Sequence, residues 1–559
     1  MQGLMMDYPL TLLTILRRAE ALFGPREIVT RLPDKTFHRY TYRDFTERAR
    51  RLAVALQDLG VGRGDRVATL MWNQYQHLEA YFGIPAAGAV LHTLNLRLHP
   101  SELAYIVNHA GDKVLIVDQT LLPLFQQFRD QVRLEHVILV RSPSPSGAGA
   151  GGGTAAGGPG GGAEAGQGFL DYEALLAAAD LGRYREPDLD EREAAAMCYT
   201  SGTTGRPKGV LYSHRALVLH SLGTALPDCV GMGEADCCLP VVPMFHANAW
   251  GMPFTATMVG AKQVFPGPHL DAISLLEDFS QERVTLTAGV PTIWLGILQE
   301  LDKNPGRWDL SSLRAMLVGG SAAPKGMIRG FQERHGLRVI HGWGMTETSP
   351  VGTLSQLPPD LAGAPDEVQY AYRAKQGRPV PLVEIRARNE RGVVPWDGET
   401  MGELEVRGPW IAAAYYEAPE AADRWTEDGW LRTGDIATID PRGFVEIKDR
   451  DKDLVKSGGE WISSVALENE LMAHPAVAEA AVIAVPHPKW QERPLAVVVL
   501  KEGHTATKEE LIEFLRPKFA KWWLPDDVVF VPEIPRTSTG KFLKAALRER
   551  FRDHLAASS

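Results

Sequence analysis

The sequence predicts an α/β protein, with a large N-terminal domain that includes a β-rich subdomain and a small α+β C-terminal domain. Helical patterns alternate with short Val, Ile and Leu strands through the first 140 residues, which is typical of a largely parallel sheet. The alternation resumes over residues 193–340, whereas residues 378–445 are richer in short strands and turns. A charged segment at 449–453 precedes a final block with its own helix and strand pattern.

The individual elements follow from local patterns in chain order. Residues 42–59 carry apolar side chains at helical spacing, and a turn at 60–64 leads into a buried-strand pattern at 65–70. A second helix-to-strand unit ends at 113–118, and a short apolar strand is expected at 194–198. The helix and strand pattern of the C-terminal block includes residues 465–472, 477–485 and 495–500.

The length of 559 residues predicts about three to five folding units. We place one domain boundary at the charged segment, so that residues 1–449 form the first domain and 450–559 the second. Residues 147–168 contain only Gly, Ala, Thr, Pro, Glu and Gln. Because such a segment buries too little apolar surface to offset its ordering entropy, a flexible surface loop is expected there.

The composition excludes several classes of protein. With 45% hydrophobic and 23% charged residues, the chain is neither disordered nor collagen-like nor a coiled coil. Its formal charge of −10 argues against a nucleic-acid-binding protein, which needs a basic surface. A local basic pocket for a phosphorylated ligand stays compatible with that charge.

Cysteine usage and hydropathy predict a soluble, cytoplasmic protein. The four cysteines match no zinc-binding spacing and are expected to be reduced thiols. The N-terminal apolar stretch contains Asp7 and Pro9, and its basic residues follow it, which disfavours a signal peptide. No run of about 20 apolar residues, the length that spans a bilayer, occurs in the sequence.

The strongest local motif is the run YTSGTTGRPKG at residues 199–209, directly after the expected strand at 194–198. Its backbone N–H groups, its hydroxyls and the Lys208 ammonium can converge on a polyanion. Turns rich in Gly, Ser and Thr are common, but the density of this run and its closing lysine favour a phosphate loop. Gly209 follows the lysine where a P-loop NTPase has Ser or Thr, so that class is disfavoured.

Four further segments carry chemistry, and each is weak evidence alone. The first, HGWGMTET at 341–348, places an aromatic ring suited to a base near a carboxylate suited to Mg²⁺. The second, GWLRTGD at 429–435, ends in an aspartate that can accept hydrogen bonds from ribose hydroxyls. The others are the charged segment with its continuation at 449–462, and PRTSTGK at 535–541.

Together, in this order and spacing, the five segments resemble the adenylate-forming superfamily of acyl-CoA synthetases, luciferases and nonribosomal adenylation domains. Residues 88–98, 242–250 and 457–463 look like the forms found in bacterial long-chain fatty-acyl-CoA synthetases. The resemblance implies ATP-dependent activation of a medium- or long-chain fatty acid as an acyl-adenylate, with release of pyrophosphate. The acyl group would then pass to the thiol of CoA, after a mobile C-terminal lid rotates at Lys452.

The resemblance also implies a role for each matching position. Thr200 and Glu347 would lie near Mg²⁺, and Lys541 would bridge the acyl carboxylate and the α-phosphate. Thr346, Glu347 and His246 complete the implied catalytic set, while Ala247 and Trp250 would border and gate the acyl tunnel. The implied nucleotide-binding residues are Thr200, Ser201, Gly202, Thr203, Thr204, Gly205, Lys208, Gly319, His341, Gly342, Trp343, Thr346, Asp435, Arg450, Lys452, Lys456 and Trp461.

Three positions depart from the usual pattern of the superfamily. Trp343 stands where many members have tyrosine, Ala414 where a glycine is usual, and Asp451 adds a carboxylate beside the hinge. None of these changes removes a catalytic group. From composition alone, His246 is better explained as a packed core residue than as a catalyst, and Trp250 is compatible with plain core packing.

Alternative functions stay open from the sequence. A ligase for an aromatic or short-chain acid would share the motifs, and a carrier protein presents the same pantetheine thiol as CoA. A binding protein without turnover would be expected to lack the key charged groups, yet Lys208, Glu347 and Lys541 are all present. No feature requires the oxygen chemistry of a luciferase. The resemblance further implies a homodimer with the N-terminal segment as exchange element, and lipid-soluble substrates suggest peripheral membrane contact.

Overall fold

The computed structural model describes residues 1, 3–142, 168–200, 206–450, 452–457, 460–536 and 542–555, with only the backbone of residues 460 and 461. The predicted flexible loop at 147–168 lies outside the described residues except for Gly168. The same holds for Ser201, Gly202, Thr203, Thr204, Gly205, Asp451 and Lys541.

The first part of the chain alternates helices and strands as predicted. Its elements are α1 (Leu12–Phe23), β1 (Glu27–Arg31), β2 (Phe37–Thr41), α2 (Tyr42–Asp58), β3 (Arg66–Leu70), α3 (Tyr75–Ala86), β4 (Val90–Thr93), α4 (Pro100–Ala110), β5 (Asp112–Asp118), α5 (Leu122–Gln126), β6 (His136–Val140), β7 (Leu170–Asp171), α6 (Tyr172–Ala178), β8 (Ala194–Tyr199), β9 (Gly209–Ser213) and α7 (His214–Ala225).

Helix α2 shows why a local sequence pattern was enough to predict a helix. Thr41 and Asp44 form a reciprocal capping box at its N-terminus, which satisfies backbone N–H groups that no helical carbonyl can reach. Its apolar face, including Phe45 and Leu52, is fully buried. Strand β5 is apolar on both faces because helices cover both sides of a parallel sheet.

The middle of the chain continues the alternation and then becomes strand-rich. Its elements are β10 (Cys237–Pro240), α8 (Met252–Val259), β11 (Lys262–Phe265), α9 (Ala272–Gln281), β12 (Leu286–Gly289), α10 (Pro291–Lys303), β13 (Ala315–Val318), α11 (Lys325–His335), β14 (Val339–Gly344), β15 (Val351–Leu354), α12 (Pro359–Ala362), α13 (Asp366–Ala374), β16 (Arg378–Pro379), β17 (Glu384–Asn389), β18 (Gly392–Val393), β19 (Gly402–Arg407), β20 (Leu431–Ile439) and β21 (Val445–Arg450).

The C-terminal block forms a sheet of its own. Its elements are β22 (Val455–Ser457), β23 (Glu460–Ile462), α14 (Ser464–Met472), β24 (Val477–His487), β25 (Gln491–Leu500), α15 (Lys508–Leu515), β26 (Asp527–Phe530) and α16 (Lys544–Arg550). Two small cores lie on its two faces, one around Leu467 and Val482 and the other around Ile483 and Leu547.

Four sheets organise these strands. A nine-stranded sheet has the order β16-β15-β14-β13-β12-β10-β11-β1-β2, and a seven-stranded sheet has the order β7-β6-β5-β3-β4-β8-β9. A five-stranded sheet, β18-β17-β19-β20-β21, is the predicted β-rich subdomain, and the C-terminal sheet is β23-β22-β25-β24 with β26 beside β25. The large domain with sheets and the small C-terminal domain confirm the predicted fold class.

Loops from different sheets meet at one place, which the connections of the strands determine. The loop after β8 leaves the seven-stranded sheet, while the turns after β13 and β14 leave the nine-stranded sheet. A hydrogen bond of 2.7 Å from the Tyr212 hydroxyl on β9 to the Thr346 carbonyl joins the two sheets there. Strand β21 of the five-stranded sheet leads directly to the predicted hinge. Within the described part of the chain, no helix is long and apolar enough to cross a bilayer.

Candidate functional site

The predicted phosphate loop leaves the sheet after Tyr199 and returns at Gly209, because β8 and β9 pair as antiparallel neighbours. Two hydrogen bonds close its neck. The Thr200 N–H donates to the Lys208 carbonyl at 2.9 Å, and the Lys208 N–H donates to Thr200 Oγ1 at 3.1 Å. The structure therefore brings together two predicted residues that are eight positions apart.

Glu347 lies buried in a short turn that follows β14, with 5% of its surface exposed. The Tyr415 hydroxyl donates to Glu347 Oε1, and the Ala412 N–H donates to the Glu347 carbonyl at 2.8 Å. The Lys208 ammonium lies 5.9 Å from the centre of the Tyr415 ring. Tyr415 thus connects the buried carboxylate with the neck of the loop.

Burial and the adjacent Glu347 carboxylate raise the pKa of the Tyr415 hydroxyl. The phenol consequently stays protonated near neutral pH and can donate a hydrogen bond to that carboxylate. Tyr415 was not among the predicted site residues. The only sequence signal was its place beside Ala414, at the turn that departs from the superfamily pattern.

Trp343 and Arg450 both contact the Asp435 carboxylate. The Trp343 indole N–H donates to Asp435 Oδ2 at 2.8 Å, and Arg450 Nε lies 2.6 Å from Asp435 Oδ1. Strands β20 and β21 place Asp435 directly opposite Arg450. Each carboxylate oxygen has more than one acceptor direction, so both oxygens keep capacity for ligand hydroxyls.

The predicted adenine-pocket residues line a narrow space at the ends of β13 and β14. A Cβ atom at Gly319 would come within 3.0 Å of the Trp250 ring and 3.2 Å of the Gly342 carbonyl. His341 is buried, and its Nδ1 lies 2.9 Å from the Ala374 carbonyl. Burial lowers the pKa of His341 to about 4, so it is a neutral hydrogen-bonding residue near pH 7.

An apolar pocket adjoins this space. Trp250 and His246 both lie in its wall, and Trp250 also packs against the main hydrophobic core. Ala247 is buried next to His246 in the chain. The lining residues are Arg97, Val241, Val242, Pro243, Phe245, His246, Trp250, Val290, Ile293 and Gly320.

The backbone that carries Trp250 is left-handed. The φ angles from Ala247 to Trp250 are 42°, 52°, 49° and 57°, and Gly251 continues with 72°. Residues with a Cβ atom rarely adopt this conformation, which costs about 1–2 kcal/mol at each position. The sequence motif gave no sign of it, because glycine occupies only the last of the five positions.

The predicted hinge follows β21, and contacts connect its two flanks. The Ser464 N–H donates to Asp449 Oδ2 at 2.7 Å, and the Ser463 hydroxyl donates to the Lys448 carbonyl. Lys452 is exposed, and Lys456 lies on β22. Trp461 follows on β23, where only its backbone is described.

The donors available to a metal at this site are hard oxygens. Thr200 offers a hydroxyl and Glu347 a carboxylate, both of the type that Mg²⁺ prefers. Among the described residues no cluster of three or more His, Cys, Asp or Glu side chains could hold a metal. Such a set suits a Mg²⁺ ion that takes most of its ligands from phosphates and water.

Loops of two α/β sheets thus meet at one place, and beyond strand β21 the chain continues into a separate sheet. This architecture defines the class of adenylate-forming enzymes. The chain belongs to the AMP-binding enzyme family, whose model matches residues 17–416. The model of the AMP-binding enzyme C-terminal domain matches residues 466–541.

Individual relatives cover almost the whole chain. A long-chain-fatty-acid–CoA ligase of Thermus thermophilus is 52% identical, over 98% of this chain and 97% of its own. A 3-methylmercaptopropionyl-CoA ligase of Ruegeria pomeroyi is 44% identical, over 99% and 100%. The crystal structure of the anthranilate CoA ligase AuaEII in complex with anthranoyl-AMP is 26% identical, with a TM-score of 0.83 and 99% of each chain covered. These matches confirm the predicted superfamily.

Proposed function

We propose that this protein is an ATP-dependent ligase that joins a medium- or long-chain fatty acid to CoA. The fatty acid forms an acyl-adenylate with release of pyrophosphate, and the acyl group then passes to the CoA thiol with release of AMP. The proposal is carried by the fatty-acid–CoA ligases among the relatives, together with a small apolar pocket beside Trp250, which packs against Gly319. The 52% identity to a long-chain-fatty-acid–CoA ligase supports the same substrate class.

The first step brings a carboxylate to a triphosphate, so it depends on cations and positioning more than on a strong base. In this proposal Lys208 holds the outer phosphates, and Thr200 and Glu347 would hold Mg²⁺, which would neutralise phosphate charge. Thr346 contacts the α-phosphate, which Lys541 bridges to the acyl carboxylate. The remaining predicted loop residues supply backbone and hydroxyl donors.

The nucleoside is held at the other side of the cleft. Trp343 stacks on adenine beside Gly319, His341 and Gly342, and Asp435 accepts from the ribose hydroxyls. Arg450 already contacts Asp435 in the structure, which aligns that carboxylate. On the C-terminal side of the hinge, Lys456 and Trp461 complete the nucleotide contacts.

The second step needs access for a pantetheine arm. A thiol has an intrinsic pKa of about 8.5, so enough thiolate forms near neutral pH without a dedicated base. We propose that the C-terminal domain rotates at Lys452 to withdraw Lys541 and open the route. In this account His246 lies near the entrance and Ala247 and Trp250 border the acyl tunnel.

We further propose a location, an oligomeric state and a domain boundary for the enzyme. The enzyme works in the cytoplasm, where ATP and CoA occur, and meets its lipid-soluble acids by peripheral contact with a membrane surface. Its homodimer forms through the N-terminal segment, in which Leu4, Met5 and Met6 are almost fully exposed. The boundary between its two domains lies at 449–450.

Carboxylate-dependent pyrophosphate release from MgATP tests the proposal, with acids from acetate to long-chain fatty acids, benzoate and 3-methylmercaptopropionate, with and without CoA. We expect steady turnover with CoA on medium or long chains, and one slow turnover without CoA. Glu347→Gln should lower kcat at least tenfold, whereas the exposed Glu390→Gln should not. Activity confined to 3-methylmercaptopropionate, benzoate or acetate would replace the fatty-acid assignment with another CoA ligase. The 44% identical relative makes the first of these acids the second candidate.

A further inference from the structure

Helix α4 presents two rings toward the neck of the predicted phosphate loop. Tyr105 and His109 are four positions apart, so they lie on one face of the helix. Their ring centroids are 5.3 Å apart, with 35° between the planes. Neither residue belongs to the predicted site, and neither lies in the segments that carry the superfamily motifs.

His109 contacts the strand that enters the loop. Its Nδ1 lies 2.7 Å from the hydroxyl oxygen of Tyr199, which is the last residue of β8. Burial raises the pKa of the Tyr199 hydroxyl, so the phenol keeps its proton and can donate a hydrogen bond to the His109 ring nitrogen. The Tyr199 ring also lies near His92, at 5.2 Å between centroids.

Tyr105 contacts the segment between the loop and strand β9. The guanidinium carbon of Arg206 lies 5.1 Å from the centre of the Tyr105 ring, within the range of a cation–π interaction. The hydrogen bonds between Thr200 and Lys208 lie between these two contacts along the neck. One helix face thus touches both ends of the loop.

Helix α4 is itself firmly held. A capping box between His99 and Glu102 and a proline at the first turn fix its N-terminus, and Gly111 closes its C-terminus in the left-handed conformation. Its opposite face buries Leu103, Ala104, Ile106, Val107 and Ala110. Because the platform is rigid, contacts to it can hold the loop neck in one place.

We propose that Tyr105 and His109 are positioning residues, which set the place of Thr200 and Lys208 for the phosphates of ATP. They act through Arg206 and Tyr199 and do not touch the nucleotide themselves. A neck that is fixed before ATP binds has less conformational entropy to lose. This inference rests on the proposed function, specifically on phosphate binding by the loop.

The test compares the KM for ATP, the KM for the fatty acid and kcat in pyrophosphate release. We expect His109→Ala, Tyr105→Leu and Tyr199→Phe each to raise the KM for ATP about three- to tenfold, a range that corresponds to losing one such contact. The KM for the fatty acid and kcat should change less than about twofold, since the acyl pocket and the reacting groups are untouched. Tyr105→Phe and Tyr105→Trp should each have the wild-type KM for ATP, because both side chains retain an aromatic face for Arg206.

A double variant tests the contact itself. Tyr199→Phe combined with His109→Ala should be no worse than the worse single variant, because the hydrogen bond can be lost only once. Asn108→Ala is the matched control on α4, since its amide donates to the Gln131 carbonyl, away from the loop. This control should leave the KM for ATP unchanged. Tyr199→Phe removes only a hydroxyl, so an unchanged KM for ATP in this variant would overturn the proposal. Equally large changes in the KM for ATP, the KM for the fatty acid and kcat would overturn it as well.

Lys208→Ala separates this inference from the function on which it rests. A raised KM for ATP in Lys208→Ala, together with unchanged values in the α4 variants, would refute the positioning role alone. An unchanged KM in Lys208→Ala would refute phosphate binding by the loop, and the positioning role would fall with it. Raised values in both sets are the result that we expect.

Discussion

Trp343 combines two properties, of which phenylalanine at this position would keep only the first. Its ring offers a face for a base, and its indole N–H donates to Asp435 at 2.8 Å. With Arg450 on the other oxygen, the carboxylate is held in one orientation. A ribose that binds Asp435 therefore meets an acceptor that needs no reorganisation.

Replacing Trp343 should separate these properties. Trp343→Phe keeps an aromatic face but removes the donor to Asp435, so we expect the KM for ATP to rise about three- to tenfold, which corresponds to about 0.7–1.4 kcal/mol, the net contribution of one ordinary hydrogen bond. The KM for CoA should not change. Steady-state kinetics with ATP as the varied substrate is the measurement, with Trp396→Phe on the exposed surface as control. An unchanged KM for ATP would show that the indole hydrogen bond does not support ATP binding, and a lower KM would show that the indole competes with the ribose.

At the residue scale, the sequence indicated candidate binding and catalytic side chains but not their hydrogen-bond partners. Thr200 and Lys208 belong to one motif, and in the structure each donates its backbone N–H to the other residue. Tyr415 and His109 escaped prediction because their contacts to Glu347 and Tyr199 connect residues 68 and 90 positions apart. A motif shows which groups are near each other in the chain, whereas these pairs depend on how the sheets meet.

At the scale of elements, local patterns located strands and helices well. Helix α2 and strands β3, β5 and β8 lie within a residue or two of the predicted ranges, because periodicity and caps are local properties. Strand order could not be predicted in this way. The neighbours β4 and β8, for example, are separated by 100 residues of chain, and nothing in either strand specifies the other.

The left-handed turn at residues 247–251 gives a test at this scale. Ala249 lies in the turn with φ 49°, and Ala256 lies in the right-handed helix α8; both are fully buried. Ala249→Gly loses a buried methyl group but relieves left-handed strain, whereas Ala256→Gly loses the methyl group and helix propensity.

We therefore expect Ala249→Gly to be at least about 1 kcal/mol less destabilising than Ala256→Gly. Urea unfolding of both variants beside the wild type measures the difference, provided that the m-values agree. Equal destabilisation of the two variants would mean that the turn holds no such strain. In that case Trp250 would owe its position to side-chain packing alone.

At the scale of the whole molecule, buried histidines connect stability with pH. Burial lowers the pKa of His77, His214, His220 and His341 to about 4 each. They lie in helices α3 and α7 and in strand β14, so the effect is spread over both large sheets. Asp278 and Glu468 act in the opposite sense, because burial raises the pKa of each to about 7.

The sign follows from proton binding. Below pH 6.5 a histidine in the unfolded chain binds a proton, whereas the buried histidine in the folded chain stays neutral down to about pH 4. The free energy of unfolding therefore decreases as pH falls from 6.5 to 4. The upper limit is about 3 kcal/mol for each histidine. Between about pH 7 and 4.5 the folded carboxyls of Asp278 and Glu468 bind protons first, which offsets part of that loss. Burial also raises the pKa of Glu79, Asp112 and Asp449, which act in the same sense as Asp278 and Glu468, so the histidine contribution is best measured at a single group.

His220 allows the prediction to be tested at one group, since its Nδ1 has no hydrogen-bond partner within the described structure. Its Nε2 accepts the Val351 N–H at 3.4 Å, a role that a glutamine oxygen can take over. His220→Gln removes the titrating group, so its unfolding free energy should fall less steeply below pH 6.5, with a gap of about 2 kcal/mol accumulated by pH 5. Urea midpoints at pH 7, 6 and 5 measure the slope, and the exposed His504→Gln should behave as the wild type. Parallel slopes for His220→Gln and the wild type would show that this buried imidazole does not contribute to the acid sensitivity of the fold.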